Sequence, residues 1–517
     1  MHKVIIIGSG ISGLLCLKHL IDVGITNVIV LDKNPEPFGI WNINNHPSVL
    51  PFTYCVSSKL YMTLTDFPLP KNTPEFPHHS IILKYYQQYA KHFNLLPYIN
   101  NNITVLQTQK INNLWQIKTN RGVLVCEYLI VATGAVNDCL NVPDDYFFKK
   151  FTGKKYHCDQ FKKIQNKLVN KKILIVGGSD TACDIAVNLC EKNKVAVSMK
   201  NGRWFQPRFL GAKEPADAFY SRMSNGIIKK IIGKKPVDNL LGNGGIKSFF
   251  GKNGSGVEQW EAKCDYLNDY YVKSRDIIDA IAKGKIQPKS YIGNIQGRNI
   301  KFIGEDKVES YDVILFCTGY KTQQCQQFLP KQYNQKYKFI FPLDEKQLYF
   351  VGFVRPYLTS IPMMAELQSR WVAKIISKKC ILPNNIHKLH QKDLQKIKKE
   401  FPCSYKRVPI VDPYDYCDFI GKQINAIPNT AKLFFTNHKL WKNIMLDSWN
   451  HHFYRLNDTN AIKKQIAINN INNNSGHGTS ILIRETINDY FRKIIIFMVV
   501  LVVLIIGIIF FVKFKKS

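Results

Sequence analysis

Two stretches of this chain place small residues at the spacing a backbone needs in order to touch a phosphate. One is Gly8-Ser9-Gly10-Ile11-Ser12-Gly13; the other, less permissive, is Gly177-Gly178-Ser179-Asp180-Thr181-Ala182. In a G-x-G-x-x-G turn the first glycine permits the bend and the second lets the backbone approach a pyrophosphate. The third lets the next helix pack on the strand, with the phosphates facing the helix N-terminus. What each turn selects depends on the residue that ends the following strand. Asp32 lies 24 residues past Gly8, where a carboxylate accepts hydrogen bonds from a ribose. Lys200 lies 23 residues past Gly177, with Arg203 close by, and cations there suit a ribose bearing a 2′-phosphate.

Each turn requires a strand before it and a helix after it. Residues 4–7 form a Val-Ile-Ile-Ile run, residues 14–21 carry apolar side chains at helical spacing, and residues 28–31 are a second strand ending at Asp32. The same order returns in residues 172–176, 184–189 and 195–198. The chain therefore reads as α/β with two dinucleotide-binding, Rossmann-like domains, FAD being expected at the first and NADPH at the second.

Gly39, Ile40 and Trp41 form a loop whose indole either packs or lines the flavin pocket, and the Pro-rich residues 51–77 read as ordered loop over a site. A helix is expected over 80–93. Short strands near 103–106, 115–118 and 122–125 suit a small antiparallel insertion. A buried strand over 128–132 closes on Thr133-Gly134, a turn suited to close approach of a dinucleotide. Residues 202–287 carry no assigned chemistry. Strands at 299–303 and 313–316 follow, and Thr318-Gly319-Tyr320 echoes Thr133-Gly134 and marks re-entry into the first domain. A strand over 348–353 and a helix over 363–376 complete that domain.

The chain is 517 residues long with a formal charge of +33, from 71 Lys plus Arg against 38 Asp plus Glu. That length holds about three units of ordinary domain size. Nucleic-acid binding would need the charge gathered on one face or tail, whereas the lysines are spread through every segment; adhesion to an anionic membrane is the better use. The 13 cysteines include no C-x-x-C pair and sit mostly in apolar runs, so they read as reduced core residues. No metal site is expected.

Between the two fingerprints lies Phe151-Thr152-Gly153-Lys154-Lys155-Tyr156-His157-Cys158-Asp159-Gln160-Phe161. This F-x-G-x-x-x-H-x-x-x-F segment resembles the linker of the flavin-containing monooxygenases. Gly39 with Trp41, Asp66-Phe67-Pro68, Lys91-His92-Phe93-Asn94-Leu95-Leu96, Ala132-Thr133-Gly134, Phe316-Cys317-Thr318-Gly319-Tyr320 and Glu366-Leu367-Gln368-Ser369-Arg370-Trp371 match in the same order. The related Baeyer-Villiger enzymes usually close the linker with Trp, so Phe161 favours the first family.

The resemblance implies an NADPH domain inserted into the FAD domain. The expected boundaries are 1–165 for the first part of the FAD domain, 166–312 for the NADPH domain with its insertion, 313–456 for the second part and a C-terminal extension, and 457–490 for a linker that is flexible in its Asn-rich portion. The reaction implied is reduction of FAD by NADPH, uptake of O2, and oxygen transfer from a flavin hydroperoxide to a soft nucleophilic nitrogen or sulfur of a small molecule, as in N,N-dimethylaniline oxidation. The alternatives are carbonyl insertion of the Baeyer-Villiger kind, and a membrane-anchored NADPH oxidase or redox-sensing flavoprotein.

Cofactor contacts are expected from Gly8, Ser9, Gly10, Ile11, Ser12, Gly13, Asp32, Gly39, Ile40, Trp41, Thr133, Gly134, Thr318 and Gly319 for FAD, and from Gly177, Ser179, Asp180, Thr181, Ala182, Lys200 and Arg203 for NADPH. No catalytic acid-base pair is evident. The clearest departure from the family is Val56. Counting back from Asp66-Phe67-Pro68, the family places an Asn there, whose amide lies beside the flavin's reactive edge, followed by the equivalents of Ser57, Ser58 and Lys59. Valine donates no hydrogen bond, so either Ser57 supplies the donor or the enzyme leaks hydrogen peroxide; leakage is the expectation.

Residues 494–512 are 19 consecutive uncharged residues, enough to cross a bilayer, flanked by Arg492 and Lys493 and by Lys513, Lys515 and Lys516. With no signal peptide at the N-terminus, this run reads as a transmembrane tail anchor that leaves the catalytic part in the cytosol, at the endoplasmic reticulum.

Overall fold

A computed structural model describes residues 1–134, 140–143, 146–210, 214–239, 256–268, 271–274, 276–321, 327–330, 333, 335–402 and 410–473. The first sheet grows outward from β1 (His2–Ile7), whose Val4, Ile5 and Ile6 are fully buried because both faces of the strand are covered by apolar side chains. After it come α1 (Ile11–Asp22), β2 (Val28–Leu31), α2 (His79–His92), β3 (Ile99–Asn100), β4 (Val105–Ile111), β5 (Leu114–Thr119) and β6 (Gly122–Val131). The sheet order is β3-β2-β1-β6-β5-β4. The two strands expected near 122–125 and 128–132 are one. The first half of β6 pairs antiparallel with β5 and its second half pairs parallel with β1, so a single strand joins the hairpin to the nucleotide-binding sheet.

The second sheet contains β7 (Lys154–His157), β8 (Lys172–Val176), β9 (Lys194–Ser198), β10 (Ile286–Lys289) and β11 (Val313–Phe316), all parallel, in the order β10-β9-β8-β11-β7. Helix α3 (Asp180–Leu189) follows β8. Two expected boundaries move. Residues 313–316, expected to open the return to the first unit, form β11 between β8 and β7. Residues 154–157, placed with the first unit, form the edge strand β7. Re-entry comes later, at β12 (Leu348–Phe350), which pairs parallel with β6. The reason is physical: Val-Ile-Leu-Phe is buried throughout, and such a run fits the centre of either sheet equally well.

Helix α4 (Ile361–Ile376) packs on α1 and buries Glu366, Gln368 and Trp371. The insertion docks back on the first unit: Ser58 N–H donates to Asp217 Oδ2 (2.8 Å), and Tyr61 OH donates to the Asp217 carbonyl (3.0 Å).

The chain then closes over a buried ionic cluster. Arg455 donates to Thr65 Oγ1 (2.6 Å), Glu366 Oε1 (2.9 Å), Asp66 Oδ2 (3.3 Å) and Asp458 Oδ2 (3.1 Å), and Lys18 pairs with Asp66. Burial is the largest influence and opposes ionisation of Asp66 and Glu366, but Arg455 together with Lys18 at Asp66, and with His451 and the Thr65 hydroxyl at Glu366, outweighs it and holds both carboxyls below the usual range.

Residues Ala461–Asn473 form a further helix, α5, with Ala467 and Ile471 buried, where a linker was expected. Ala467 and Ile471 stand four residues apart, on one face of the helix, which lets that face pack. Among the described residues no helix is long and apolar enough to cross a membrane, and the run 494–512 lies outside them. Cys16, Cys55, Cys126, Cys158, Cys183, Cys190, Cys317, Cys380 and Cys417 are free thiols. Cys264 is disulfide-bonded, which corrects the reading of the cysteines as uniformly reduced.

Candidate functional site

A cavity of about 930 Å³ opens at the carboxyl ends of β1, β2 and β6. Its wall gathers residues far apart in the chain: Gly8, Gly10, Ile11 and Ser12 from the first turn, Asp32 after β2, Gly39, Ile40 and Trp41 from the next loop, and Thr133 and Gly134 after β6. Val56, Ser57, Lys273, Tyr357 and Thr359 complete it. The position is where open α/β sheets bind ligands.

The glycines differ in what they do. A Cβ on Gly8, whose φ is +104°, would lie 2.6 Å from the Ala132 carbonyl oxygen, and one on Gly13 would lie 1.9 Å from the Gly8 carbonyl oxygen. Both are excluded by the protein itself. A Cβ on Gly10 meets only Gly39 Cα, at 3.8 Å, so the protein leaves open space beside it. Gly10 is the N-cap of α1; it offers no side-chain hydrogen bond, and the first turn holds no acidic residue. The α1 N-terminus therefore presents free N–H groups and positive dipole to the cavity. An elongated dianion fits this cradle.

Asp32 is buried and fully engaged. Its Oδ2 accepts from Ser9 N–H (2.7 Å) and Ser9 Oγ (2.6 Å), while its Oδ1 accepts from Asn34 N–H (2.9 Å) and Asn34 Nδ2 (3.0 Å). Ser9 thus reaches the site through Asp32. Two of these donors sit on rotatable side chains that a ribose diol can replace.

Val56 lines the cavity with a side chain made only of carbon. Ser57, the expected alternative donor, gives its hydroxyl proton to the Thr359 carbonyl at 2.7 Å and has none to spare. Thr359 has φ +81°, a strained conformation for a β-branched residue, and its buried Oγ1 has no hydrogen-bond partner; neither does Thr133 Oγ1. Cys55 also lines the cavity, but burial pushes its thiol up to about 12, which leaves no thiolate there. Lys273 lies in the insertion, where a lone lysine in so basic a chain carries no signal.

The second set of residues gathers elsewhere, at the carboxyl ends of β8, β9 and β11. Gly177 has φ +139°, and a Cβ there would lie 2.3 Å from the Cys317 carbonyl oxygen; one on Gly178 would lie 2.6 Å from Met199 Sδ. Ser179 Oγ accepts from Ala182 N–H at 3.4 Å and caps α3, with Asp180 and Thr181 in its first turn. Asp180 Oδ1 accepts from Lys273 N–H at 2.9 Å, so this residue ties the second turn to a segment that reaches the first cavity. Lys200 follows β9 with Nζ 5.3 Å from the Tyr291 ring centroid, and Arg203 is held nearby through its backbone. Thr318 and Gly319, expected at the FAD site, stand here too. The Gly319 carbonyl accepts from the linker histidine, His157 Nε2, at 3.1 Å.

The flavin-binding monooxygenase-like family model matches residues 1–514. Dimethylaniline monooxygenase (N-oxide-forming) 2 of Pan troglodytes is 27% identical over 484 residues, 88% of each chain. Flavin-containing monooxygenase 5 of Rattus norvegicus is 26% identical over 464 residues, 85% of each chain. Among solved structures, cyclohexanone monooxygenase with bound epsilon-caprolactone superposes with TM-score 0.62 at 12% identity, covering 81% of this chain and 97% of that one. S-allyl-L-cysteine S-oxygenase of Allium sativum gives TM-score 0.55 at 17% identity, with coverages of 86% and 95%.

Proposed function

Since the chain belongs to the flavin-binding monooxygenase-like family, we propose that it transfers one oxygen atom of O2 to a soft nucleophilic nitrogen or sulfur of a small molecule. It is an NADPH-dependent monooxygenase that uses FAD and NADPH. The observation that carries the substrate reading is that the phosphate cradle at Gly10 and the apolar wall at Val56 belong to one cavity. A relative named for N-oxide formation supports the same class.

Bound FAD would accept hydride equivalents from NADPH and activate dioxygen; this chain binds, orients and excludes water. Gly8, Gly10 and the N-terminus of α1 would hold the pyrophosphate, Asp32 the ribose, and Gly39, Ile40, Trp41, Thr133 and Gly134 the remainder. At the second turn Gly177, Ser179, Asp180, Thr181 and Ala182 would face the NADPH pyrophosphate, and Lys200 with Arg203 the 2′-phosphate. Lys200→Glu replaces attraction by repulsion. A charge-assisted hydrogen bond is worth about 1.5–3 kcal/mol, so kcat/KM for NADPH should fall about ten- to hundredfold, with little change for NADH. An unchanged ratio of the two efficiencies would remove Lys200 from the site.

At the position where the family has an amide, Val56 carries no side-chain donor, and the neighbouring Ser57 has given its own proton to the Thr359 carbonyl. Loss of one such donor costs about 3 kcal/mol, on the order of a hundredfold in rate. The enzyme should therefore consume NADPH largely as hydrogen peroxide, and Val56→Asn should raise the fraction recovered as oxygenated N,N-dimethylaniline. Tight coupling in the wild type, with no gain in the variant, contradicts this.

The uncharged run 494–512 supports attachment to a membrane, with the catalytic part in the cytosol at the endoplasmic reticulum. Deleting residues from Ile494 onward should convert a membrane-bound enzyme into a soluble, active one. Glycosylation at Asn457 or Asn473 in intact cells would show the opposite topology.

A further inference from the structure

Lys273 enters the flavin cavity from the other unit. Its segment is fixed on one side by Val272, which exchanges backbone hydrogen bonds with Trp204 and Gln206 at 2.8 Å each, and on the other by its own N–H donating to Asp180 Oδ1. Lys273 is 4% exposed and lines the same cavity as Val56, Ser57 and Thr359. Its Nζ stands 3.6 Å from Asp217 Oδ2, a carboxylate 1% exposed. That oxygen already accepts from Ser58 N–H, while Asp217 Oδ1 has no hydrogen-bond partner.

This is not a closed ion pair. Burying an ammonium group is costly unless close, well-directed partners replace its water. Here, among the described residues, the one facing carboxylate is at the outer limit of contact and half unsatisfied. The ammonium keeps donor capacity, on a wall where Val56 has none to give and Ser57 has spent its own.

We propose that Lys273 is the cation of the flavin cavity, setting the charge that bound flavin meets rather than replacing the amide absent at Val56, with Asp217 as its positioning residue. The proposal rests on the reading of this cavity as the FAD site. A cation on the wall favours the reduced, more negative flavin over the oxidised one, so Lys273 raises the preference of the site for reduced flavin. Asp217, of opposite charge, lowers it.

The test is the midpoint potential of bound flavin in the full-length holoenzyme, measured alongside flavin content. Lys273→Met should weaken the preference for reduced flavin at least about tenfold, a negative shift of about 30 mV for a two-electron couple. Lys273→Arg should restore most of it, and Asp217→Asn should shift the potential the other way. A Lys273→Met protein with full flavin and an unchanged potential overturns the role of Lys273 while leaving the FAD site intact. If that variant holds no flavin, Asp217→Asn decides: a positive shift supports the proposal, and no shift or a negative one overturns it. Wild-type protein purified without flavin would instead overturn the reading of the cavity.

Discussion

Gly10→Val should give a folded protein without flavin. The structure separates this variant from its neighbours: a side chain at Gly8 or Gly13 collides with backbone, whereas one at Gly10 meets only Gly39 Cα at 3.8 Å and points into the cavity. The penalty therefore falls on the ligand rather than on the fold. Overpacking by a branched side chain costs about 1–3 kcal/mol, roughly five- to 150-fold in affinity. The close approach of the pyrophosphate to a helix N-terminus leaves little room to relax. Gly13→Val is the control and should be recovered poorly folded. Normal flavin absorbance in purified Gly10→Val would place the cofactor elsewhere.

Arg455→Met should be strongly destabilising. Arg455 is 3% exposed and connects the C-terminal segment to the Asp66-Phe67-Pro68 loop and to α4 through Asp66 and Glu366. Lys18 remains on Asp66 in the variant. Among the described residues Glu366 keeps only Thr65 and the distant His451 Nε2 at 3.9 Å. A buried carboxylate stripped of its partner costs about 3–5 kcal/mol, a large share of the stability of an ordinary domain. Glu366→Gln in the same background removes the orphaned charge and should recover part of the loss. The check is urea denaturation of each variant. A loss under about 1 kcal/mol for Arg455→Met, the size of an exposed pair, would show that the cluster is solvated.

The residues that could be read without coordinates are those whose type is forced by backbone geometry. Gly8, Gly13 and Gly177 are irreplaceable because a Cβ has no room, and this constraint leaves its mark at fixed spacing. Asp32 was legible for the same reason, through its distance from the turn. What stayed hidden depends on contacts between distant segments. The membership of β11 could not be read because a fully buried apolar strand fits either sheet. Ser57 looked like a donor until Thr359 O took its proton, and the positive φ of Thr359 has no counterpart in residue type. Lys273 and Asp217 were invisible because one lysine among 71 basic residues carries no signal until the fold aims it into a cavity.

A monooxygenase reaction run by FAD and NADPH on this chain is tested most directly by isotope incorporation. Purified protein would be given NADPH, N,N-dimethylaniline and heavy-isotope dioxygen in ordinary water, and the product analysed by mass. The expected result is one heavy oxygen atom per oxygenated product molecule, formed only with NADPH and bound flavin and in greater yield from Val56→Asn. Flavin-bound protein that consumes NADPH yet yields no labelled product in either form would contradict the claim and leave an oxidase.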